Sequence, residues 1–432
     1  WSSDVCSSDL VDASVAGDEI VVTNGTYATG GRAVGTNVLV NRVAVDKPIT
    51  LQSVNGPEAT IIWPATSPQR PAFVGSNAIL IGFTLTNGLT ASTGHTISNQ
   101  SGGGIWCQSG AVVSNCVITG NRATSNGGGA FGGTFYKCVF KYNQFGSGLS
   151  AQGGGAFFGA LYDCLVVSNR AISTSSSGGG AAQCSLYNCS LIGNYGVQNG
   201  GGAYVCTLYN SILRNNSAIS GGGGYGGSFY HCTVVSNSSV GIVAFGPTTI
   251  ASNSIVYYNT GANLLGGVVA RYSCTTPLPT GTGNITNAPM FMNLAAGDLR
   301  LHFGSPCIDA AANLTNLVPL DFTGKARPLD GNGDGTAASD MGAYEFDLLS
   351  TVGTNWLTSH GLDPNDPLVF ATDADNDGFT TLAEWVADTD PTNSISYFAI
   401  DGITNVAPVE VVFQSSSNRD RKSTRLNSSH RT

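Results

Sequence analysis

The chain has 432 residues, of which 58 are glycine, 41% are apolar and only 10% are charged. That balance excludes a highly charged disordered chain and supplies enough apolar material for a long core. The formal net charge of −9 argues against nucleic acid or an anionic membrane surface as partner. No apolar run approaches the ~18 residues of a transmembrane helix.

In chain order, residues 1–10 (WSSDVCSSDL) resemble a translated sequencing adapter, and the run DRKSTRLNSSH at 420–430 resembles its complementary counterpart. Segments 1–10 and 420–432 are therefore expected to be adapter-derived, and 11–419 to be an open piece of a longer chain. Residues 11–100 read as an N-terminal cap with irregular first coils: AGDEIVVTNGTY at 16–27, KPITLQSVNGPEATII at 47–62 and NAILIGFTLTNG at 77–88 are short strand patterns bounded by turns.

Residues 101–286 are predicted to form a regular solenoid. Glycine runs open at Gly102, Gly127, Gly153, Gly178, Gly200 and Gly221, and each leads to an apolar run, a Cys or Ser, an apolar strand and an Asn. The last part reads NCVITGN at 115–121, KCVFKYN at 137–143, DCLVVSN at 163–169 and NCSLIGN at 188–194. It continues as NSILRNN at 210–216, HCTVVSN at 231–237 and NSIVYYN at 253–259. The closing asparagines are 22, 26, 25, 22, 21 and 22 residues apart, a period that signals stacked coils.

Period-two logic points three columns inward. One is Cys116, Cys138, Cys164, Cys189, Ser211, Cys232 and Ser254; another, two residues later, is Ile118, Phe140, Val166, Leu191, Leu213, Val234 and Val256. The third, Val113, Phe135, Leu161, Leu186, Leu208 and Phe229, lies an odd three residues before the Cys column, so a bend is predicted between them. Coils stacked ~4.8 Å apart place like on like. The Asn column is expected at a left-handed turn, its amides bonding from coil to coil. The glycine runs fit a sharp bend or a close approach of backbones. The cysteines are expected to stay reduced as small buried apolar groups, although neighbouring coils also bring pairs such as Cys116 and Cys138 within disulfide range.

Coils of this length resemble the right-handed parallel β-helix of the pectate-lyase-like superfamily, and the opening at 16–27 is similar to that of many secreted β-helix proteins. The predicted fold class is all-β, a right-handed parallel β-helix followed by small C-terminal modules. That superfamily includes polysaccharide lyases, hydrolases and esterases, so the resemblance makes carbohydrate chemistry worth testing. Yet Asp163 is the single acid between Gly102 and Gly267, which leaves no carboxylate pair for glycoside hydrolysis on the regular coils.

The residue before each Cys or Ser forms a polar stripe: Asn115, Lys137, Asp163, Asn188, Asn210, His231 and Asn253. Lys137 and Asp163 fall on adjacent coils, with Arg170 further along, and are the candidates for a base with a neutralising partner; equally, the stripe reads as an outward polar edge with one surface ion pair. Beside it run Tyr136, Tyr162, Tyr187, Tyr209 and Tyr230, either a sugar-contacting groove or rings that stack from coil to coil and stiffen the wall.

Residues 287–346 read as a different module. Ser305-Pro306-Cys307-Ile308-Asp309, Asp321, Arg327, Asp330 and the run DMGAYE at 340–345 resemble the choice-of-anchor Q domain of bacterial surface β-helix proteins, which implies attachment rather than catalysis. In 347–394 the run DADNDGFTTLAE satisfies the calcium-loop pattern D-x-D-x-D-G-x₅-E. Asp373, Asp375, Asp377, the Phe379 carbonyl, Thr381 and Glu384 are the predicted Ca²⁺ ligands, with Gly378 at the sharp turn. The flanking sequence resembles thrombospondin-type-3-like calcium linkers. The acidic run at 330–335 begins like a second such loop but has Met341 at its twelfth position. Residues 395–419 read as the start of another β-domain.

Together these readings predict a secreted or cell-surface bacterial scaffold that contacts a polysaccharide or cell-surface glycan without catalysis. The alternative is a polysaccharide-active enzyme, a lyase rather than a hydrolase.

Overall fold

The computed structural model describes residues 7–92, 96–146, 151–246, 248–396, 398–403 and 411–415. Of the expected adapter-derived segments, 1–6 and 420–432 lie outside the described residues; the remainder, 7–10, belongs to the helix Ser7–Ala13. The chain divides into two compact units: Trp1–Pro328 with Ala338–Phe346, and Leu329–Ala337 with Asp347–Thr432.

The first unit is a right-handed parallel β-helix, as the repeat predicts. One sheet has 19 strands, a second 11 and a third 4, and within them the chain climbs one coil per repeat. The second sheet stacks like on like, Ile118 on Phe140, Val166, Leu191, Leu213, Val234 and Val256 in turn. The long sheet does the same with Val113, Phe135, Leu161, Leu186, Leu208 and Phe229. Both columns are fully buried in one continuous core, which Val11 of the N-terminal helix joins. The uncovered edge of the first coils is thereby shielded at that point.

The bend between these sheets is made by the polar stripe. Asn115, Lys137, Asp163, Asn188, Asn210, His231 and Asn253 all adopt positive φ, between 49° and 58°. A single left-handed residue reverses the in–out alternation, which is why the two inward columns are an odd number of residues apart.

The asparagine ladder corrects one expectation. The left-handed residue at the second corner is the one before each Asn, namely Gly120, Tyr142, Ser168, Gly193, Asn215, Ser236 and Tyr258. The asparagines themselves turn inward. Asn143 donates through its backbone N–H (3.0 Å) and its amide (3.0 Å) to Asn169 Oδ1, and Asn169 does the same to Asn194 at 3.0 Å. A buried amide needs all of these partners, so the turn falls to a neighbour whose side chain faces out. The glycines make room for the ladder: a Cβ on Gly129 would lie 2.9 Å from the Asn143 amide carbon.

All ten cysteines among the described residues are buried and free. Ser211 shows what the column requires, accepting from the Cys189 N–H at 3.1 Å while donating to the Tyr209 carbonyl at 2.8 Å. Cys164 occupies the same place, accepting from the Cys138 N–H and donating to the Tyr162 carbonyl at 3.3 Å.

Residues 287–328 and 338–346 belong to this unit. Their antiparallel strands Phe291–Asn293 and Asp298–Leu301 lie on the second sheet, where Leu299 and Ala343 bury Ile212 and Val235 with Phe291, Leu294, Phe322 and Tyr344 around them. Arg327 sits beneath, its guanidinium 2.6 Å from Glu345 Oε2 with neither side chain exposed. It also donates to the Asp340 and Gly342 carbonyls, so the buried charge is surrounded by acceptors as it must be.

The second unit holds the short helices Leu348–Val352, Thr354–Ser359 and Thr381–Ala387 and an antiparallel pair, Phe398–Ile403 with Val411–Ser415. Thr380 caps the third helix, its hydroxyl accepting from the Ala383 N–H at 3.3 Å.

Candidate functional site

Two places carry the predicted chemistry. The first is the outer wall of the solenoid. Tyr136, Tyr162, Tyr187, Tyr209 and Tyr230 project from equivalent positions of the long sheet and stack in register. Their centroids are 4.9, 4.6, 4.8 and 5.2 Å apart, with interplanar angles of 5–16°. Because ring faces cover one another, the wall presents ring edges and phenol hydroxyls. Burial and the neighbouring rings hold the Tyr162 and Tyr209 phenols above their ordinary range, so they remain protonated donors.

Next to this ladder Lys137, Asp163 and Asn188 occupy successive left-handed corners, and Lys137 and Asp163 are exposed. Asp163 accepts from the Asn188 amide at 2.7 Å, and the amide ladder continues from Asn210 to Asn188 at 3.0 Å. Among the described residues no ion pair joins Lys137 to Asp163. Arg170 lies elsewhere, on the third sheet, where it stacks between Gln144 and Tyr195 in register and its guanidinium lies 5.4 Å from the Tyr195 ring centroid. The polar stripe is therefore an open edge over its first four residues. Its last three, Asn210, His231 and Asn253, are buried, with Asn253 bonded to the Ala312 carbonyl and Asn210 accepting from Arg327.

A second aromatic column escaped the sequence reading. Trp106 stacks on Phe131 at 4.0 Å and 3°, Phe131 approaches Phe157 at 5.4 Å, and Tyr204 stacks on Tyr225 at 5.8 Å. These residues share a register on the long sheet, interrupted at Ala182. Between the two aromatic columns lie Thr134, Ala160, Ser185, Thr207 and Ser228, all half-buried. The signal was present as an aromatic four residues after the opening glycine of five of the six runs, but the Ala182 break and the change from Trp to Phe to Tyr hid it.

The second place is the acidic loop of the other unit. Asp373, Asp375 and Asp377 bring one carboxylate oxygen each within 4.8 Å of one another. Asp373 is shaped by the turn itself, accepting from the Asn376 N–H at 2.8 Å and the Gly378 N–H at 2.9 Å. Glu384 is 1% exposed. Burial, then the Asp375 and Asp377 charges, push its carboxyl up to about 7. Asp375 Oδ2, Asp377 Oδ2 and Glu384 Oε2 are buried without a hydrogen-bond partner. Crowded, partnerless carboxylate oxygens are the donor set of a hard divalent cation, and the residues present fit one. The Thr381 hydroxyl donates to the Thr372 carbonyl at 3.1 Å, and the Phe379 ring is exposed, leaving its backbone as the ligand-bearing part.

The fold and these geometries define a parallel β-helix protein with an aromatic outer wall. The chain matches no protein-family model and no curated protein. Among solved structures it is similar to pectate lyase Pel9A, with 13% identity over 79% of this chain and 90% of that one, at a TM-score of 0.44. It is similar to the PL6 family alginate lyase AlyGC at 12% identity, over 66% of this chain and 53% of that one, with a TM-score of 0.31. The Dettilon tailspike protein aligns at 14% identity over 59% and 60% of the two chains, with a TM-score of 0.28. Among the described residues no helix is long and apolar enough to cross a membrane.

Proposed function

We propose that this protein is a secreted or cell-surface scaffold whose tyrosine wall contacts glycans without cleaving them, and whose acidic loop binds Ca²⁺. The carrying observation is the stacked ladder from Tyr136 to Tyr230. It sets out phenol hydroxyls at the coil spacing, flanked by a floor of Thr and Ser and by the Asn188–Asp163 edge. Such a grid offers donors and acceptors to a chain of sugar hydroxyls, with ring edges filling the gaps. Catalysis finds little support there: Asp163 has no second carboxylate on the neighbouring coils and Arg170 is on another sheet. The module at 287–346, on this reading, serves attachment.

Co-sedimentation with neutral and acidic polysaccharides, followed together with the release of reducing ends and unsaturated products, tests the reading. Binding without cleavage that weakens at least several-fold in Tyr187→Ala is the expected result. Cleavage abolished by Lys137→Ala or Asp163→Ala would establish the lyase alternative instead. For the loop, calorimetry on the whole chain is expected to show one Ca²⁺ bound and at least a ten-fold loss in Glu384→Gln; unchanged affinity would remove the loop from the account.

A further inference from the structure

Eight of the ten cysteines among the described residues belong to the continuous solenoid core; Cys274 and Cys307 do not. From Cys116 to Cys232 the thiols of the inward ladders each donate to the carbonyl two residues earlier, at 3.2–3.4 Å. Serine does the same at Ser211 and Ser254, so those positions call for a small hydrogen-bonding group rather than for sulfur.

On the last coil that ladder position is held by Ser273, which accepts from the Ser254 N–H at 3.1 Å. Cys274 is the next residue and therefore faces out of the solenoid. It is in register with Ile255, and through it with Thr233 and Ile212. The 287–346 module packs on that column, with the Ala343 N–H donating to Thr233 Oγ1 at 3.0 Å. Cys307 comes from the module, where its carbonyl accepts from the Met341 N–H at 2.9 Å. Its thiol meets that of Cys274, and both side chains are 0% exposed. Among the described residues no strand pairing joins these two segments. Ladder sulfurs are held a coil apart, at ~4.8 Å, by the sheets around them. The Cys274–Cys307 pair is free of that restraint, so a small shift of the module brings the sulfurs to the ~2 Å of a covalent bond. The cost is one thiol hydrogen bond, from Cys274 to the Asn287 carbonyl at 3.2 Å.

We propose that Cys274 and Cys307 are a cystine-forming pair that clips the 287–346 module to the last coil when the chain meets a small-molecule disulfide. The step is thiol–disulfide exchange. One cysteine thiolate attacks a sulfur of the reagent and releases its first thiolate; the second cysteine attacks the mixed disulfide and releases the other. Two cysteine thiols are oxidised to one cystine, one small disulfide is reduced to two thiols, and the two cysteine protons end on those thiols. Contact with Cys274 and then burial push the Cys307 thiol well above its ordinary range. The closed pair is thus a slow nucleophile, and the bond forms as the module closes or during its opening. The cystine closes the loop 275–306, which restrains the undocked state. An oxidising setting rests on the secreted reading above; the test supplies the oxidant itself and is independent of that reading.

The test is refolding of the whole chain from urea in reduced and oxidised glutathione at stepped ratios, with native chain held in the same buffers as a second route. Free thiols are then blocked in denaturant and the peptides read by mass spectrometry. A Cys274–Cys307 cystine is expected, half-formed at a glutathione ratio at least ten-fold more reducing than any core pair such as Cys138 and Cys164 requires. Hydrogen exchange at the amides of Thr233 and Ile255 is expected to slow at least three-fold on oxidation. Cys307→Ser should abolish that change and Cys116→Ser should leave it intact. No Cys274–Cys307 cystine by either route, core cysteines linking first, or a change in exchange that survives Cys307→Ser would overturn the proposal. A cystine that leaves exchange unaltered would overturn its role in holding the module down.

Discussion

Replacing Asn169 by alanine takes out a central rung of the buried amide ladder. Its Oδ1 is the acceptor for both the N–H and the amide of Asn143, and its Nδ2 donates to the Phe140 carbonyl at 2.9 Å and to Asn194 Oδ1 at 3.0 Å. The residue is fully buried, so water does not replace these bonds. Two donors on Asn143 lose their acceptor, each costing about 1–3 kcal/mol, which gives a loss of about 4 kcal/mol. A solenoid unfolds by neighbouring units rather than strictly all at once. The assay is therefore native-state hydrogen exchange, read at the amides of 139–145, 165–171 and 190–196, alongside urea denaturation. The expected outcome is loss of protection centred on these coils and a lower urea midpoint. Asn169→Asp separates the roles, because it keeps an acceptor but places a carboxylate against Phe140 O and Asn194 Oδ1. Burial raises such a carboxyl's pKa, so this variant is least harmed at low pH, where it is neutral, and loses stability as pH rises through that raised value. A cost below about 1 kcal/mol for Asn169→Ala would refute the claim that the ladder organises the core.

Three further outcomes follow from buried groups. His231 is held well below its ordinary 6.5 by burial and then by the charge of Arg327. Folding therefore binds fewer protons than the unfolded chain, and stability is lost as pH falls below about 6.5. The loss grows as pH falls further below that value, and His231→Asn, the residue used at Asn210 and Asn253, should remove that pH dependence in acid denaturation. Arg327→Met takes the guanidinium from Glu345 inside a fully buried pair. It should cost about 3–5 kcal/mol, with partial recovery when Glu345→Gln is added; a near-neutral Arg327→Met in urea titration would contradict the burial. Burial pushes the Cys116 and Cys232 thiols up to about 12, so alkylation at pH 8 should label them only after denaturation, as read by mass spectrometry.

The inward columns were legible because seven aligned copies repeat the same alternation, and the two that run from Val113 and from Ile118 are apolar without exception, while the third holds only Cys or Ser. The position of the left-handed corners was not. Asparagine is the residue most tolerant of positive φ, yet the ladder needs its amide inside, and Tyr142, Ser168 and Tyr258 carry the turn instead. Nor could the sequence tell which stretch of the second sheet is covered. Val139 and Leu165 are as apolar as Ile212 and Val235, but the former stay half-exposed and the latter are buried under Leu299 and Ala343. The difference depends on contacts with residues dozens of positions away. The acidic loop was legible because its spacing is local, and the convergence of Asp373, Asp375 and Asp377 needs only one turn of chain.

The asparagine rungs all point one way, each giving its protons to the next coil and taking those of the coil before, from Asn121 through Asn259. Hydrogen bonds aligned in series polarise one another, so the column has a head and a tail. Such a structure can lengthen or shorten only in whole steps. The stretch of chain between rungs varies from 21 to 26 residues without disturbing them, which leaves the corners free to diverge. Duplication of one complete unit adds a rung that finds both its partners already in place, whereas a partial duplication breaks the series. Change in the size of this protein is thus quantised by a single side chain, while change in its surface is not.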